Sequence, residues 1–489
     1  MEQLTWTGPL GSVLDPIFLG LAGLLFVAAV VQIVLSILAP SGRIEVNADG
    51  SIAAARGPYG LSSKVTMGLV ALTILALLIY VILGAVLGAG GAGIVGGMSR
   101  QLIPVWICLV VLFALSIKFK RRLGLYGKLF DSTVGMVGFA LVMFWVFVGI
   151  LGAADLLITH DPLSQVSGMK NKVPGTPMRG AEDGEYAWYL LGGDNLARDI
   201  FSRIIAGAWL VIQIAPLATL FAFLAGIILG LPAGYYGGRL DVVLSFLANL
   251  ILAFPVILLF YLLVTPEIKI AGVPAIMGMV LFLFPVIFVG ILLNSRYSTQ
   301  PAVRTPLLVV VLSVLLWGYL SLNTEDGYLI NSPNFQLPGL PTWLDGINPD
   351  PAILLVFVSV VFVNAPTVFR IVRGLTLDIK TRDYVAAAQT RGEGPWYIML
   401  WEILPNARGP LIVDFCLRIG YTTILLGTLG FFGLGLQSES PDWGTTINAG
   451  RRLLSAYPHA AIAPAVALLT LVLGLNLLAD GLREESLKD

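Results

Sequence analysis

Eleven apolar stretches, each close to the length needed to cross a bilayer, constrain this chain more than any other feature of its sequence. A hydrocarbon core needs about 20 apolar residues per helix. The stretches lie at 17–39, 65–88, 102–118, 134–158, 208–236, 243–264, 274–294, 307–321, 351–369, 410–432 and 460–480. Only 12% of the residues are charged, whereas a soluble chain is roughly 25% charged. The sequence therefore predicts an all-α integral membrane protein with about eleven transmembrane helices.

Lysine and arginine are unevenly distributed between the two sides of these predicted helices. With the N-terminus outside, 19 of the 29 basic residues fall in inner segments and 9 in outer ones. Because basic residues are retained in the cytoplasm, this excess predicts a cytoplasmic C-terminus. Its strongest markers are the run 118–122 and the segment 370–409. No basic residue precedes the first apolar stretch, so we expect that stretch to be retained rather than cleaved as a signal peptide.

The remaining composition argues against several classes of function. The formal net charge is +0, which gives no basic surface for nucleic acid. Two Cys and two His are too few for a disulfide framework or a histidine-based metal site. No G-x-x-x-x-G-K-[ST] motif occurs, so we expect no ATP hydrolysis by this chain alone. Gly88, Gly90 and Gly93 match G-x-G-x-x-G, but they end a membrane span, so we expect a flexible loop there.

Three charged residues lie inside the apolar stretches, away from their terminal positions, where a lone charge costs about 2.5–3.5 kcal/mol on insertion scales. Asp155 is near the outer end of its span, so it either reaches the headgroups or lines a substrate path. Asp414 and Arg418 are four residues apart, a spacing that lets them pair on one helix face. A structural pair and a gate are the two interpretations of these residues.

Two further features of the spans predict how the helices pack. Glycines recur every four residues from Gly226 to Gly234, and small residues at this spacing let two helix backbones approach closely. Several prolines, including Pro255, interrupt the spans and free backbone carbonyls that must find other partners.

Residues 194–208 have the rhythm of an amphipathic helix, which we expect to lie at the outer membrane interface. Apolar residues recur on one face, and Asp194 can cap the first turn. The segment serves either as an anchor alone or as a contact for an extracytoplasmic partner. Its polar face comprises Asn195, Arg198, Asp199, Ser202 and Arg203.

The segment 382–406 lies between two spans on the predicted cytoplasmic side. An alanine run favours a short helix, which Gly392, Gly394 and Pro395 stop, and a second helix is predicted to run until Pro405. Two short helices joined by a glycine turn suit insertion into a cleft of a soluble partner. An ordinary loop is the alternative.

Four blocks together resemble the inner-membrane permease subunits of dipeptide and oligopeptide ABC importers, which have the type I importer fold. Block 384–406 resembles the family's EAA loop, whose helix docks on the ATPase subunit. Block 192–203 resembles an outer family motif, and block 476–483 resembles the family's C-terminal end. The fourth block resembles the outer loop before the last helix and includes Pro441, Trp443 and Gly444.

The resemblance implies a non-catalytic subunit that works by alternating access in the bacterial inner membrane. The implied partners are a second permease subunit, two ABC ATPase subunits, an extracytoplasmic substrate-binding protein and the lipid bilayer. The chain itself would bind no cofactor or metal, since ATP and Mg would be held by the ATPase subunits. The residues implied for the ATPase-coupling loop are Tyr384, Ala387, Ala388, Gln389, Gly392, Glu393, Glu402, Leu404 and Pro405.

The chain also departs from the family pattern. Ala386 replaces the acidic residue that names the EAA loop, Glu402 replaces the usual His, and Glu393 is a possible substitute partner. The resemblance implies a six-helix core carrying five extra helices, whose role it leaves open. The predicted divisions are an N-terminal extension with three spans (1–133), a first core part (134–264), an inserted hairpin with two spans (265–350) and a second core part (351–489).

Two other classes of protein compete with this interpretation. A stand-alone secondary carrier or channel is compatible with eleven spans and a net charge of +0. A membrane-embedded enzyme would need clustered His, Cys or carboxylate side chains. Peptides are the default substrate in the family, although nickel, sugars and peptide-like antibiotics use relatives, so the substrate is not readable from the sequence.

Overall fold

The computed structural model describes most of the chain. The described residues are 2–38, 44–46, 52–54, 58–122, 124–178, 186–265, 268, 273–321, 351–434 and 439–486. Ten helices among them are long and apolar enough to cross a membrane, and one bent pair would make eleven. The predicted all-α membrane architecture is therefore confirmed. Residues 322–350, which follow the second predicted span of the hairpin, lie outside the described residues. So do residues 435–437 of the stretch 432–437, which belongs to the block that resembles the outer loop.

The chain divides into two compact units, and the first comprises Met1–Ile107 with Ser164–Phe201. Helices α1 and α2 pack against each other, and two short antiparallel ribbons complete the described elements. The elements are α1 (Gly8–Leu38), β1 (Ile44–Val46), β2 (Ile52–Ala54), α2 (Pro58–Gln101), β3 (Thr176–Pro177) and β4 (Trp188–Tyr189).

The glycine-rich end of α2 is kinked and closely packed. Gly88 and Gly93 have φ of +66° and +61°, a region that residues with a Cβ rarely adopt. The N–H of Ile94 donates to the carbonyl of Thr5 at 3.0 Å, and a Cβ on Gly93 would overlap that same carbonyl. The flexible loop expected here is therefore replaced by a kink that accommodates the N-terminal segment of the chain.

The second unit comprises Cys108–Leu163 and Ser202–Asp489. Two of its helices, α3 and α6, begin in the first unit. Its main helices are α3 (Ile103–Phe119), α4 (Gly124–Lys128), α5 (Thr133–Ala153), α6 (Ile200–Tyr236), α7 (Gly238–Ala253), α8 (Val256–Val264), α9 (Val273–Arg296), α10 (Pro301–Ser321), α11 (Pro351–Ile379) and α12 (Asp383–Thr390). They are followed by α13 (Pro395–Tyr397, π-helical Ile398–Ile403 and Leu404–Asn406), α14 (Arg408–Phe431), α15 (Trp443–Arg451) and α16 (His459–Ser486). The domain divisions stated above stay a prediction.

The glycines of α6 lie against α11. A Cβ on each glycine from Gly226 to Gly234 would lie 2.5–2.9 Å from side-chain atoms of Val368, Val372 or Thr376. No side chain larger than hydrogen fits at these distances unless the neighbouring helix moves. The predicted close approach of two backbones is confirmed, and α11 is the partner helix.

The predicted span 243–264 is not one straight helix. It is divided into α7 and α8, whose axes are bent by 87° at the break. Pro255 has no N–H to continue the helix, and its ring forces the preceding Phe254 into an extended conformation with ψ of 134°. The predicted span is therefore a bent pair of helices, which counts as the eleventh span if the two halves cross the membrane together.

Candidate functional site

Helix α12 opens the segment between α11 and α14, here called the interhelical segment (382–406). Its C-terminus forms a Schellman motif, in which the N–H of Glu393 donates to the carbonyl of Ala388 at 3.3 Å. The N–H of Gly392 donates to the carbonyl of Gln389 at 2.9 Å. Gly392 has φ of +79°, so the predicted glycine stop is confirmed and its cause is a left-handed backbone.

The two faces of α12 differ in exposure. Val385 and Ala388 are fully buried in a hydrophobic cluster, whereas Tyr384, Ala387 and Gln389 are exposed. The structure therefore separates the predicted coupling residues into two groups. Ala388 anchors the helix to the core, and the exposed residues form the surface that a partner could reach.

The second half of the interhelical segment, α13, contains a π-helical turn. Pro405 cannot donate a backbone hydrogen bond, and the N–H of Leu404 donates to the carbonyl of Met399, five residues back. The helix ends at Asn406, one residue after the predicted end at Pro405. The proline directly follows the change of helix register. Pro405 is exposed and Leu404 is half-buried.

Arg391 holds the two halves of the interhelical segment together. Its Nη2 atom lies 2.8 Å from Oε1 of Glu402, and its Nε atom lies 3.9 Å from Oε1 of Glu393. Both acidic residues predicted to contact a partner thus face Arg391. Because the arginine is about half exposed, each pair contributes at most about 1 kcal/mol.

Further polar contacts connect the interhelical segment and α11 to the end of α6 and to α7. Gln389 Nε2 donates to the hydroxyl of Tyr235 at 3.2 Å, and Lys380 Nζ donates to the carbonyl of Gly234 at 2.7 Å. Arg373 and Asp241 form an ion pair, with Nη2 and Oδ2 2.6 Å apart. Sequence reasoning missed these contacts, since no local pattern relates residues more than a hundred positions apart.

On the outer side, residues 194–199 in the first unit form a turn and not the start of a helix. Asp194 Oδ1 accepts hydrogen bonds from the N–H groups of Leu196 and Arg198, and its Oδ2 pairs with the Arg198 side chain at 2.7 Å. Ala197 has φ of +66°, which no helix accommodates. The helix begins at Ile200, so the predicted interfacial helix started six residues too early.

The predicted polar face of that helix is also buried rather than exposed. Asp194, Arg198 and Asp199 are at most 2% exposed in the first unit, and Arg203 in the second unit is 1% exposed. This finding corrects the expectation of a polar surface at the membrane interface.

Arg203 contacts the outer loop before α15. Its Nη2 donates to the carbonyl of Ser440 at 2.8 Å and to the hydroxyl of Thr446 at 3.2 Å. Trp443 Nε1 donates to the carbonyl of Ile204 at 2.9 Å, next to Arg203 in the chain. Arg203 and Trp443, one residue from each of the two outer motifs that carry the family resemblance, therefore belong to one buried network in the second unit.

Pro441, Trp443 and Gly444 of that outer loop are close-packed against neighbouring helices. A Cβ on Gly207 of α6 would lie 2.6 Å from Cδ1 of Trp443 and 2.7 Å from the carbonyl of Pro441. Gly444 packs against the carbonyl of Gly427 in α14. All three predicted outer-loop residues are thus part of the packed core of this region.

Asp442 caps α15 from within this network. Its Oδ1 accepts from the N–H of Thr445 at 3.0 Å, and its Oδ2 is buried with no hydrogen-bond partner in the described part of the chain. Burial raises the pKa of the Asp442 carboxyl, and the bonds from Thr445 and the nearby Arg203 charge oppose this shift.

The intramembrane charges have different surroundings. Asp414 Oδ2 and Arg418 Nε lie 2.6 Å apart, and their side chains are 19% and 8% exposed, so the predicted pair forms on one face of α14. Asp155 is exposed and follows the end of α5 at Ala153. Among the described residues, no group of three or more His, Cys, Asp or Glu side chains is placed to hold a metal ion.

These features define a multi-pass helical membrane protein with a short helix presented between two spans. The family model described as binding-protein-dependent transport system inner membrane component matches residues 226–484. The match covers more than half of the chain, so the protein belongs to this family. It is a permease component of a binding-protein-dependent transport system, and it has the type I importer permease fold in the inner membrane.

Individual relatives agree with this assignment. The glutathione transport system permease protein GsiD of Pectobacterium atrosepticum is 29% identical over 302 residues, which is 62% of this chain and 73% of the relative. The dipeptide transport system permease protein DppC of Alkalihalophilus pseudofirmus is 24% identical over 359 residues, 73% of this chain and 87% of the relative. DppC of Haemophilus influenzae is 27% identical over 296 residues, 60% of this chain and 72% of the relative.

Proposed function

We propose that the chain is one of two permease subunits of an ATP-driven importer for peptides or peptide-like solutes. Two ABC ATPase subunits, which hold ATP and Mg, would bind on the side of the interhelical segment. A substrate-binding protein would deliver the solute from outside, and the C-terminus would be cytoplasmic. The names of the relatives, which refer to dipeptides and glutathione, support the peptide class.

The observation that carries the proposal is the division of α12 into an anchored face and an exposed face. Val385 and Ala388 hold the helix in the core, while Tyr384 and Gln389 are exposed. A coupling element must pass a change of contacts from the partner to the membrane helices. A short helix that is exposed on one side and packed against α6 and α11 on the other meets this requirement.

The test is site-specific crosslinking in the assembled complex. In a background without Cys108 and Cys416, Gln389→Cys should crosslink to the ATPase subunit. Arg122→Cys, exposed on the same predicted side but far along the chain, is the control and should not crosslink. Absence of the Gln389 crosslink in a complex that contains the ATPase would overturn the coupling role.

A second experiment distinguishes the importer from a stand-alone carrier. Purification from native membranes should yield an ATPase and a binding protein together with this chain. Transport by the purified single chain in liposomes without ATP would favour the carrier instead.

A further inference from the structure

The first helix of the inserted hairpin, α9, packs against the interhelical segment. Phe288 and Leu292 of α9 contact the buried cluster that contains Ile398 of the π-helical turn. The same cluster contains Val385, which anchors α12. The hairpin and the exposed helix therefore share one close-packed interior, and close-packed interiors transmit small displacements.

Polar contacts at the end of α9 also connect this helix to the π-helical turn. Trp401 Nε1, in the π-helical turn, donates to Oγ of Ser295 at 3.1 Å. The Ser295 hydroxyl in turn donates to the carbonyl of Leu292 at 2.9 Å, and the residue is only 6% exposed. The guanidinium carbon of Arg296 lies 4.8 Å from the centroid of the Trp401 ring. Trp401 is thus held at its N–H and across its ring by two consecutive residues of α9.

Trp401, which makes these contacts with α9, lies at a special point of the backbone. It lies on the π-helical turn, where the backbone departs from regular α-helical hydrogen bonding, and such turns are frequent at functional sites. Contacts from outside the segment can hold this turn in one orientation, and its register differs from that of the helices on both sides. The hairpin supplies these contacts, although the six-helix core implied by the family resemblance has no counterpart to it.

We propose that the inserted hairpin braces the interhelical segment, and that Trp401 and Ser295 are positioning residues for coupling to the ATPase. The inference rests on the proposed function, since it assigns a role in the same coupling step. It gives two of the five additional helices a task. They hold the π-helical turn and, through the shared cluster, fix the angle at which α12 is presented.

The test uses the complete reconstituted complex with Trp401→Phe, Ser295→Ala and the double variant. Phe keeps most of the ring packing and removes the N–H donor, while Ala removes only the hydroxyl. The measured quantity is the ATPase rate stimulated by loaded binding protein divided by the basal rate of the same variant. Each single variant should lower this ratio roughly 2- to 10-fold, the range expected for one lost hydrogen bond. The double variant should be no worse than the more affected single variant, because both remove the same bond.

Matched controls come from the second helix of the same hairpin. Trp317→Phe and Ser313→Ala alter exposed positions of α10 and should keep the wild-type ratio. A merely structural role for the Trp401–Ser295 bond would lower the yield of complex without moving the normalised ratio, and that result would overturn the proposal. Additive effects of the two substitutions would also overturn it.

The proposed function and the brace can fail separately. If Gln389→Cys crosslinks to the ATPase while Trp401→Phe leaves the ratio unchanged, only the brace is refuted. If no crosslink forms in a complex containing the ATPase, the coupling role is refuted and the brace with it.

Discussion

Gly392 offers a direct test of whether the end of α12 must be held in one conformation. A Cβ at this position would meet no atom within 4 Å, so Gly392→Ala creates no steric overlap. The substitution is unfavourable only through the backbone conformation, because φ of +79° is unfavourable for any residue with a Cβ. Gly394 is the matched control, since its surroundings are equally open and its φ is −67°.

The expected free-energy change of each alanine variant follows from these two φ angles. A left-handed conformation costs an L-residue about 1–2 kcal/mol, and the cost falls on the Schellman motif that ends α12. That energy changes the population of the capped conformation by a factor of about 5–30. Gly394→Ala keeps a permitted conformation and should be neutral or stabilise the chain by about 0.4–1 kcal/mol, because the unfolded chain loses freedom.

The measurement is the stimulated-to-basal ATPase ratio of the reconstituted complex, together with the crosslinking yield from Gln389→Cys. Gly392→Ala should lower both quantities, and Gly394→Ala should leave both near the wild-type value. Equal losses in the two alanine variants would refute the reasoning, since they would point to a general intolerance of substitution in the turn and not to the left-handed backbone.

Three further predictions concern packing and buried charge. Gly230→Ala should destabilise the chain by about 1–3 kcal/mol in thermal unfolding, because its Cβ would lie 2.9 Å from Val372, whereas Gly290→Ala, with its nearest contact at 3.5 Å, should be tolerated. Arg203→Lys should cost about 1.5–3 kcal/mol, because lysine cannot keep the guanidinium contacts to the outer loop. Limited proteolysis of that loop checks this result, and an unchanged cleavage rate would contradict it. Asp414→Asn should cost about 3–5 kcal/mol by leaving its arginine partner buried and unpaired, while replacing both by apolar residues should restore much of the loss.

The inner helices could be predicted from the sequence because their signals are local. An alanine run, a glycine stop and the four-residue spacing of glycines each act within a few turns of one helix. The helix α12, its end at Gly392 and the close packing along α6 followed from such patterns. The partner of the glycine face, α11, could not be predicted, because helical spacing identifies a face and leaves its neighbour undetermined.

The outer segment shows where a periodic pattern fails. Apolar residues in 194–208 recur at helical spacing, but the Asp194 carboxylate accepts backbone N–H groups within its own turn. Such side-chain contacts compete with helix formation, so the chain forms a turn up to Asp199. The polar side chains that were predicted to be exposed are buried instead. Arg203, for example, donates hydrogen bonds to carbonyl groups of a loop more than 200 residues away. Contacts of this length require the folded chain.

The same outer network makes a prediction about pH. Burial raises the pKa of Asp442. At pH values between the usual aspartate pKa and this raised pKa, the folded protein therefore still holds a proton that the unfolded chain has lost. Stability therefore falls as pH rises through the raised pKa, and the full cost of the buried charge is present above it. Asp442→Asn removes this charge and keeps a side chain that caps helices about as well as aspartate.

We expect the melting temperature of Asp442→Asn to rise relative to that of the wild type as the pH rises from below the usual aspartate pKa through the raised pKa of Asp442, with no further change above it. The opposite trend, with the variant losing stability relative to the wild type as pH rises, would mean that the Arg203 charge outweighs burial and lowers the pKa of Asp442. In that case the buried pair, and not the neutral carboxyl, would hold the outer loop on α6. The double variant with Arg203→Met would then recover part of the loss, because the unpaired cation would be gone.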